Sequence, residues 1–80
     1  MQSKESIALY FKEGTSDKVY ECSIDAEAGG FVVNFAFGRR GSVLKEGTKT
    51  PSPVSFDEAK KVYNKVVGEK MAKGYSTTEP

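Results

Sequence analysis

The chain has 80 residues, of which 29% are charged and 38% hydrophobic, with twelve Lys and Arg against eleven Asp and Glu. This length fits one small domain, and the composition is that of an ordinary soluble globular protein. There is no histidine and one cysteine, Cys22. Histidine-dependent catalysis, imidazole metal sites, internal disulfides and cysteine zinc clusters are therefore excluded. We expect Cys22 to be buried, and we expect no metal and no cofactor.

We predict a single domain over residues 1–80, with a core from about 6 to 75 and a tail at 76–80. The apolar run at residues 31–37 is interrupted by Asn34 and is far shorter than the about 20 residues of a membrane span. The early apolar run, residues 7–11, is followed at once by Lys12 and Glu13, which does not fit a secretory signal. We therefore expect a cytoplasmic protein with no membrane partner.

Three stretches alternate with the period of two that predicts β-strands, at residues 7–11, 18–24 and 31–37. The short links between them favour an antiparallel meander. A tight turn is predicted at residues 38–41, a weak fourth strand at 42–45 and a loop at 46–53. The side chains that share one face are Ile7, Leu9 and Phe11 of the first strand, Tyr20, Cys22 and Ile24 of the second, and Phe31, Val33, Phe35 and Phe37 of the third.

A C-terminal helix is predicted by its start, its apolar face and its end. Ser55 followed by Glu58 forms a capping-box pattern, and Gly74 is a typical helix stop. Between them, apolar residues recur every three or four positions: Phe56, Ala59, Val62, Tyr63, Val66, Val67 and Met71. The fold class is therefore α+β, an antiparallel meander of four or more strands with one amphipathic helix packed on it.

Charge is unevenly distributed along the chain. The net charge is −3 over residues 1–30, +3 over 31–56 and +1 over 57–80. A basic turn beside an aromatic strand end is typical of nucleic-acid binders, because cations neutralise phosphates and a ring offers a stacking surface. The alternative is a solvated turn beside a core aromatic. The positive charges of the middle segment are Arg39, Arg40, Lys45 and Lys49.

Lys70 falls near the centre of the apolar stripe of the predicted helix when its residues are spaced at about 100°. A lysine at such a position either extends past the core into water or lies beside the sheet as a functional cation.

The order of these features resembles the WGR domain family. The resemblance rests on an N-terminal strand, the segment Asp-Lys-Val-Tyr-Glu at 17–21, an aromatic strand, Phe-Gly-Arg-Arg-Gly-Ser at 37–42, a Ser-initiated helix, and Glu-Lys at 69–70 leading to Gly-Tyr at 74–75. It covers nearly the whole chain, from about residue 7 to residue 75. Phe37 stands where the family motif has tryptophan. Within the family, the chain resembles the small bacterial WGR domain proteins.

The resemblance implies a DNA-contacting and domain-contacting module without catalysis of its own. In the poly(ADP-ribose) polymerases of the family, the motif tryptophan packs on a sugar at a DNA break end, and the motif arginine couples DNA to neighbouring domains. These roles correspond to Phe37 and Arg39 here. Lys70 matches the lysine near the helix end. We expect no enzymatic activity.

Two functional hypotheses follow. The first is a nucleic-acid-binding module that favours DNA over RNA, for duplex DNA or DNA ends. The second is a protein-interaction or regulatory module that uses the same basic turn against a protein partner or a neighbouring domain. The predicted nucleic-acid-binding residues are Phe37, Gly38, Arg39, Arg40, Lys45, Lys49 and Lys70.

Overall fold

A computed structural model describes residues 3–79 of the chain, with side chains from Lys4 onward. It contains a four-stranded antiparallel sheet in the order β1-β2-β3-β4 and one C-terminal helix, which confirms the predicted α+β meander. The elements are β1 (Ser3–Glu13), β2 (Ser16–Glu27), β3 (Gly30–Arg39), β4 (Lys45–Thr48) and α1 (Phe56–Ala72).

The first three strands are longer than their apolar patterns predicted. Their hydrogen-bonded ladders continue beyond the apolar residues, so only two residues connect β1 to β2 and two connect β2 to β3. In the second connection Ala28 and Gly29 have φ of 50° and 81°. Two successive positive φ angles define the turn whose twist matches that of a β-hairpin. The short links between these strands are therefore tight turns.

The fourth strand lies three residues later than predicted. β4 pairs with β3 from Lys45 to Thr48, so residues 40–44 form the connection and the predicted 46–53 loop begins inside a strand. The turn is also displaced, since Gly38 and Arg39 still belong to β3. Contacts across the sheet decide this register. A side chain at Gly47 would lie 2.6 Å from the ring of Phe35, so only glycine leaves room for that ring.

The helix forms as predicted. Ser55 is its N-cap, and the Ser55 hydroxyl accepts a hydrogen bond from the backbone N–H of Glu58 at 3.2 Å. The chain leaves the helix through Gly74, whose φ of 105° suits glycine. The helix packs on β2 and β3.

The core lies between one face of the sheet and the helix. Leu9, Ile24 and Val33 are fully buried there, and Cys22 is buried as expected. Burial raises the pKa of the Cys22 thiol to about 11. The helix contributes Ala59, Tyr63 and Val66 to this core, whereas Phe56 and Met71, at the two ends of the predicted stripe, are partly exposed.

The helix covers only part of the sheet. Phe56 at its start packs edge-on against Phe31 with the ring centroids 5.3 Å apart, and Lys70 in its last turn lies over Tyr20. Beyond Tyr20 the same face of the sheet continues without a helix above it. Phe37, on this extension, is 41% exposed.

After the helix the chain returns to the edge of the sheet. Ser76, predicted to begin a tail, exchanges two backbone hydrogen bonds with Tyr10 of β1, at 2.7 and 2.8 Å. This brings Tyr75 beside Phe11, with ring centroids 5.5 Å apart. In the part of the chain that the structure describes, no helix is long and apolar enough to cross a membrane.

Candidate nucleic-acid interface

The uncovered part of the helix-side face is formed by two rows of cross-strand neighbours. In one row Lys18 of β2 lies opposite Arg39 of β3. In the next row Tyr20 lies opposite Phe37, which in turn lies opposite Lys45 of β4. Directly opposed residues of an antiparallel pair share a face of the sheet. The register therefore places three cations and two aromatic rings on one surface.

Three nearly parallel rings form the centre of this surface. The ring of Tyr20 lies 5.8 Å from that of Phe35 and 6.4 Å from that of Phe37, and the rings of Phe35 and Phe37 are 6.0 Å apart. Tyr20 is 4% exposed, whereas Phe37 is 41% exposed. Burial raises the pKa of Tyr20 to about 12, so its hydroxyl stays neutral. Phe37 is thus the ring of the three with most surface available to a ligand.

Two lysines lie over these rings. The Lys70 ammonium lies 4.6 Å from the ring centroid of Tyr20 and 5.7 Å from that of Tyr75, and the Lys49 ammonium lies 4.8 Å from that of Phe35. These are cation–π distances. Lys70 is the cation that the helix pattern singled out, and its place at the end of the core accounts for its position within an apolar stripe.

The cations of this surface lack carboxylate partners. Ion pairs within residues 4–79 involve Arg40 and Lys60, and none involves the surface cations. Desolvation and the neighbouring charges of Lys73 and Lys49 lower the pKa of Lys70. An uncompensated group of cations is electrostatically unfavourable until an anion neutralises it. We call this group the cation ring, and it consists of Lys18, Arg39, Lys45, Lys49 and Lys70.

A pocket of about 540 Å³ opens at the end of the surface. One wall is the end of the β1–β2 hairpin, with Thr15 and Lys18, and the other is formed by Phe37 and Arg39, with Tyr75 at its side. The Arg39 guanidinium donates a hydrogen bond to the backbone carbonyl of Thr15 at 2.9 Å. The pocket thus combines an exposed ring, two cations and the polar backbone of a turn.

Arg40 lies apart from the cation ring. Its Nε and Nη2 donate to the two carboxylate oxygens of Asp17 at 2.9 and 3.2 Å, and its Nη1 is 3.5 Å from Glu79. The hydrogen bond from Arg40 lowers the pKa of the Asp17 carboxyl, and the same bond raises the pKa of Arg40. Its charge is therefore already compensated within the protein.

Most of the residues predicted as a site lie together. Phe37, Arg39 and Lys45 share the uncovered face, and Lys49 and Lys70 border its rings. Gly38 lies between them in β3, where a side chain would meet Leu44 at 3.2 Å.

Sequence reasoning missed two members of the surface, Lys18 and Tyr75. The alternation of β2 puts Lys18 on the face of Tyr20, which was a usable signal for Lys18. Tyr75 depends on the return of the chain to β1, for which the sequence pattern has no signal.

The described residues contain no group of three acidic, cysteine or histidine side chains that could hold a metal ion.

Comparison with known protein families identifies the fold. The family model described as the WGR domain matches residues 5–80. The chain therefore belongs to the WGR domain family, as its motifs indicated. No curated protein and no solved structure matches the chain.

Proposed function

We propose that this protein is a non-catalytic nucleic-acid-binding module that uses the helix-side surface around Phe37. Its family, the WGR domain, is of a nucleic-acid-binding type. The observation that carries the proposal is the cation ring, whose side chains lack carboxylate partners among the described residues and surround an exposed aromatic ring. Phosphates would neutralise these charges, and a base or sugar would pack on the ring.

Phosphate contacts by the cations and base or sugar packing on Phe37 have different consequences for which nucleic acid is bound. Lys45 and Lys49, both exposed, lie towards β4 and would hold phosphates through charge, with no preference for base identity. A nucleotide could stack on Phe37 and enter the pocket beside it only where the face of its base is accessible, as it is at a strand end. The resemblance to break-end binders of the family agrees with this reasoning. We therefore favour DNA ends as the ligand, in which Arg39 would contact a terminal phosphate.

The carboxyl groups of the protein support a binding role over catalysis. Asp17 is engaged by Arg40, and its pKa is lowered, so it is ionised at neutral pH and unsuited to donate a proton. Within residues 4–79, no other carboxyl group lines the pocket beside Phe37.

The proposal is tested by an amide-resolved NMR titration of the full chain with a short 5′-phosphorylated DNA duplex at low and at moderate salt. We expect a dissociation constant of about 1–100 μM, as for non-specific DNA binding at physiological salt. The largest shifts should fall on residues 37–42, on Lys18 and around Lys70, and they should decrease as salt rises. A duplex closed by hairpin loops at both ends is the matched ligand without ends.

Two outcomes would contradict the proposal. Absence of shifts at millimolar DNA would remove nucleic acid as the ligand and favour the protein-interaction hypothesis, which an acidic peptide titrated under the same conditions would then test. Shifts confined to other faces would keep nucleic-acid binding but reject this surface. Equal affinity for the open and the closed duplex would reject only the preference for DNA ends and would leave the binding surface unchanged.

A further inference from the structure

We infer that Arg40 is a positioning residue for the proposed interface, and that it acts through Asp17 without contacting the ligand. The inference rests on the proposed function for its binding readout. It also differs from the simplest interpretation of the motif, in which both adjacent arginines bind phosphate.

Strand alternation separates the two arginines. Arg39 is the last residue of β3 and lies opposite Lys18, on the helix-side face. The next residue along a strand points to the other face. Arg40 accordingly reaches Asp17, the neighbour of Lys18 in β2, and Arg40 does not line the pocket that Arg39 lines.

The contact between Arg40 and Asp17 holds β2 and β3 together beyond the last pair of their ladder. The ladder between β2 and β3 ends at the pair Lys18–Arg39. One residue further, the backbone N–H of Arg40 donates to the carbonyl of Asp17 at 2.9 Å, and the guanidinium binds both carboxylate oxygens. Three hydrogen bonds thus continue the pairing where the regular ladder stops.

The contact between Arg40 and Asp17 also joins the two walls of the pocket. Asp17 belongs to the hairpin wall, and Arg40 follows directly after the wall formed by Phe37 and Arg39. The hydrogen bond from Arg39 to Thr15 crosses the same gap from the other side. The side chains of Arg40 and Asp17 are only 31% and 19% exposed, so the pair is partly shielded from water. Breaking it would let the two walls separate and would misplace Phe37 and Arg39.

A positioning role and a phosphate-contacting role predict different salt dependence. A residue that contacts phosphate contributes about 0.9 to the slope of log K against log salt for duplex DNA, whereas a positioning residue changes affinity without changing that slope. We expect Arg40→Gln to weaken binding by about fivefold, the size of one good surface ion pair, with the slope unchanged. Arg39→Gln is the matched variant, and it should lower both affinity and slope.

The variant Asp17→Ala separates the two roles by the sign of its effect. If Arg40 contacted phosphate, removal of its carboxylate partner would free it and strengthen DNA binding. If Arg40 positions the turn, removal of Asp17 weakens binding. Glu13→Gln is the control, because Glu13 is an exposed carboxylate of the same hairpin with no hydrogen bond to Arg40 among the described residues. Asp17→Ala should bind DNA about fivefold more weakly than Glu13→Gln.

The exchange Asp17→Arg with Arg40→Asp should recover most of the lost affinity, since it restores the pair with its charges reversed. Tighter binding by Asp17→Ala, or a slope reduced by Arg40→Gln as much as by Arg39→Gln, would overturn the inference.

If the wild-type protein binds no DNA, the proposed function fails, and the positioning role is decided by hydrogen exchange. Faster amide exchange at residues 38–41 in Arg40→Gln would support it, and unchanged exchange would refute it.

Discussion

The two faces of the sheet are made of alternate residues of the same strands, yet they carry opposite chemistry. On the helix side, one row across the strands contains Leu9, Tyr20, Phe37 and Lys45. The adjacent row, on the reverse face, contains Ala8, Glu21, Ala36 and Glu46. The first row is aromatic and basic, and the second is small and acidic. A net charge of +1 hides this separation.

The reverse face has an open groove of about 810 Å³. Small side chains such as Ser6 and Ala36 form part of its lining, together with the carboxylates of Glu21, Asp25 and Glu46. Asp25 is 9% exposed and accepts hydrogen bonds from Ser23 at 3.0 Å and from Asn34 at 2.6 Å. These carboxylates would repel phosphate, so the reverse face is an internal control for the helix-side surface.

In this small sheet, the strand register decides which side chains share a face. A shift of one residue in the pairing of a strand moves its side chains to the other face. In this protein such a shift in β3 would bring Phe37 and Arg39 to the acidic side.

The largest expected effect concerns stability, because Leu9 supports the core and its neighbour Ala8 does not. Leu9→Ala should lower the free energy of unfolding by about 2–5 kcal/mol, since Leu9 is fully buried in the core. Ala8→Thr, on the reverse face, should change it by no more than about 0.5 kcal/mol, because threonine suits a strand. Urea denaturation of both variants tests this contrast, and equal losses would contradict it.

Charge reversal on the helix side should have the next largest effect. Arg39→Glu combined with Lys45→Glu should weaken DNA binding by at least about a hundredfold, given that each hydrogen bond to a charged group contributes about 1.5–3 kcal/mol. The matched variant on the reverse face is Glu21→Gln with Glu46→Gln, for which we expect a change within about twofold. Fluorescence anisotropy with a labelled duplex measures both. Equal effects on the two faces would remove the distinction between them.

Variants of Phe37 distinguish the contribution of stacking to binding from that of charge on the helix side. Phe37→Ala should weaken binding to DNA ends by about tenfold, because stacking of one base on an aromatic ring contributes about 1–3 kcal/mol. Phe37→Trp, which restores the family residue, should bind at least as tightly as the wild type, and Phe37→Leu should resemble Phe37→Ala. Binding to a duplex closed at both ends should be little affected. Loss of binding to both ligands would mean that Phe37 supports the fold of the surface.

The smallest effect is the pH dependence from Asp17. Arg40 lowers the Asp17 pKa below its ordinary value of 3.8. The ion pair therefore contributes its full stability above pH 3.8, and the contribution is lost as the pH falls through the lowered pKa. The melting temperatures of wild type and Asp17→Asn should differ at pH 6 and converge as the pH approaches 2. A constant difference would show that Asp17 acts through something other than its charge.

Much of the fold could be predicted because it follows from short-range patterns. The alternation in the first three strands and the Ser55–Glu58 pattern identified these elements and their order, and the structure confirms them. β4 was misplaced because its four residues have no apolar alternation. Their pairing depends on the Phe35 ring over Gly47, and on the Thr48 hydroxyl, which donates to the Val33 carbonyl at 3.0 Å.

The candidate site was predicted in part for the same reason. Phe37, Arg39 and Lys45 are near neighbours in sequence, so their clustering was visible in the charge distribution. Arg40 was grouped with them by sequence proximity, although its compensation by Asp17 spans 23 residues and appears only in the folded chain. Tyr75 joined the surface through the bridge between Ser76 and Tyr10, again a contact between distant residues.

The sequence by itself determined the α+β class, the helix with its cap, the family, and the basic and aromatic character of the segment after residue 36, because each of these is written in local composition and period. Only the tertiary structure decided which cations remain uncompensated, since that depends on which carboxylates come within reach. It gave Arg40 a partner in Asp17, left Arg39 exposed to solvent, and placed Lys70 over Tyr20. Charge pairing acts through space, and a linear pattern does not contain those distances.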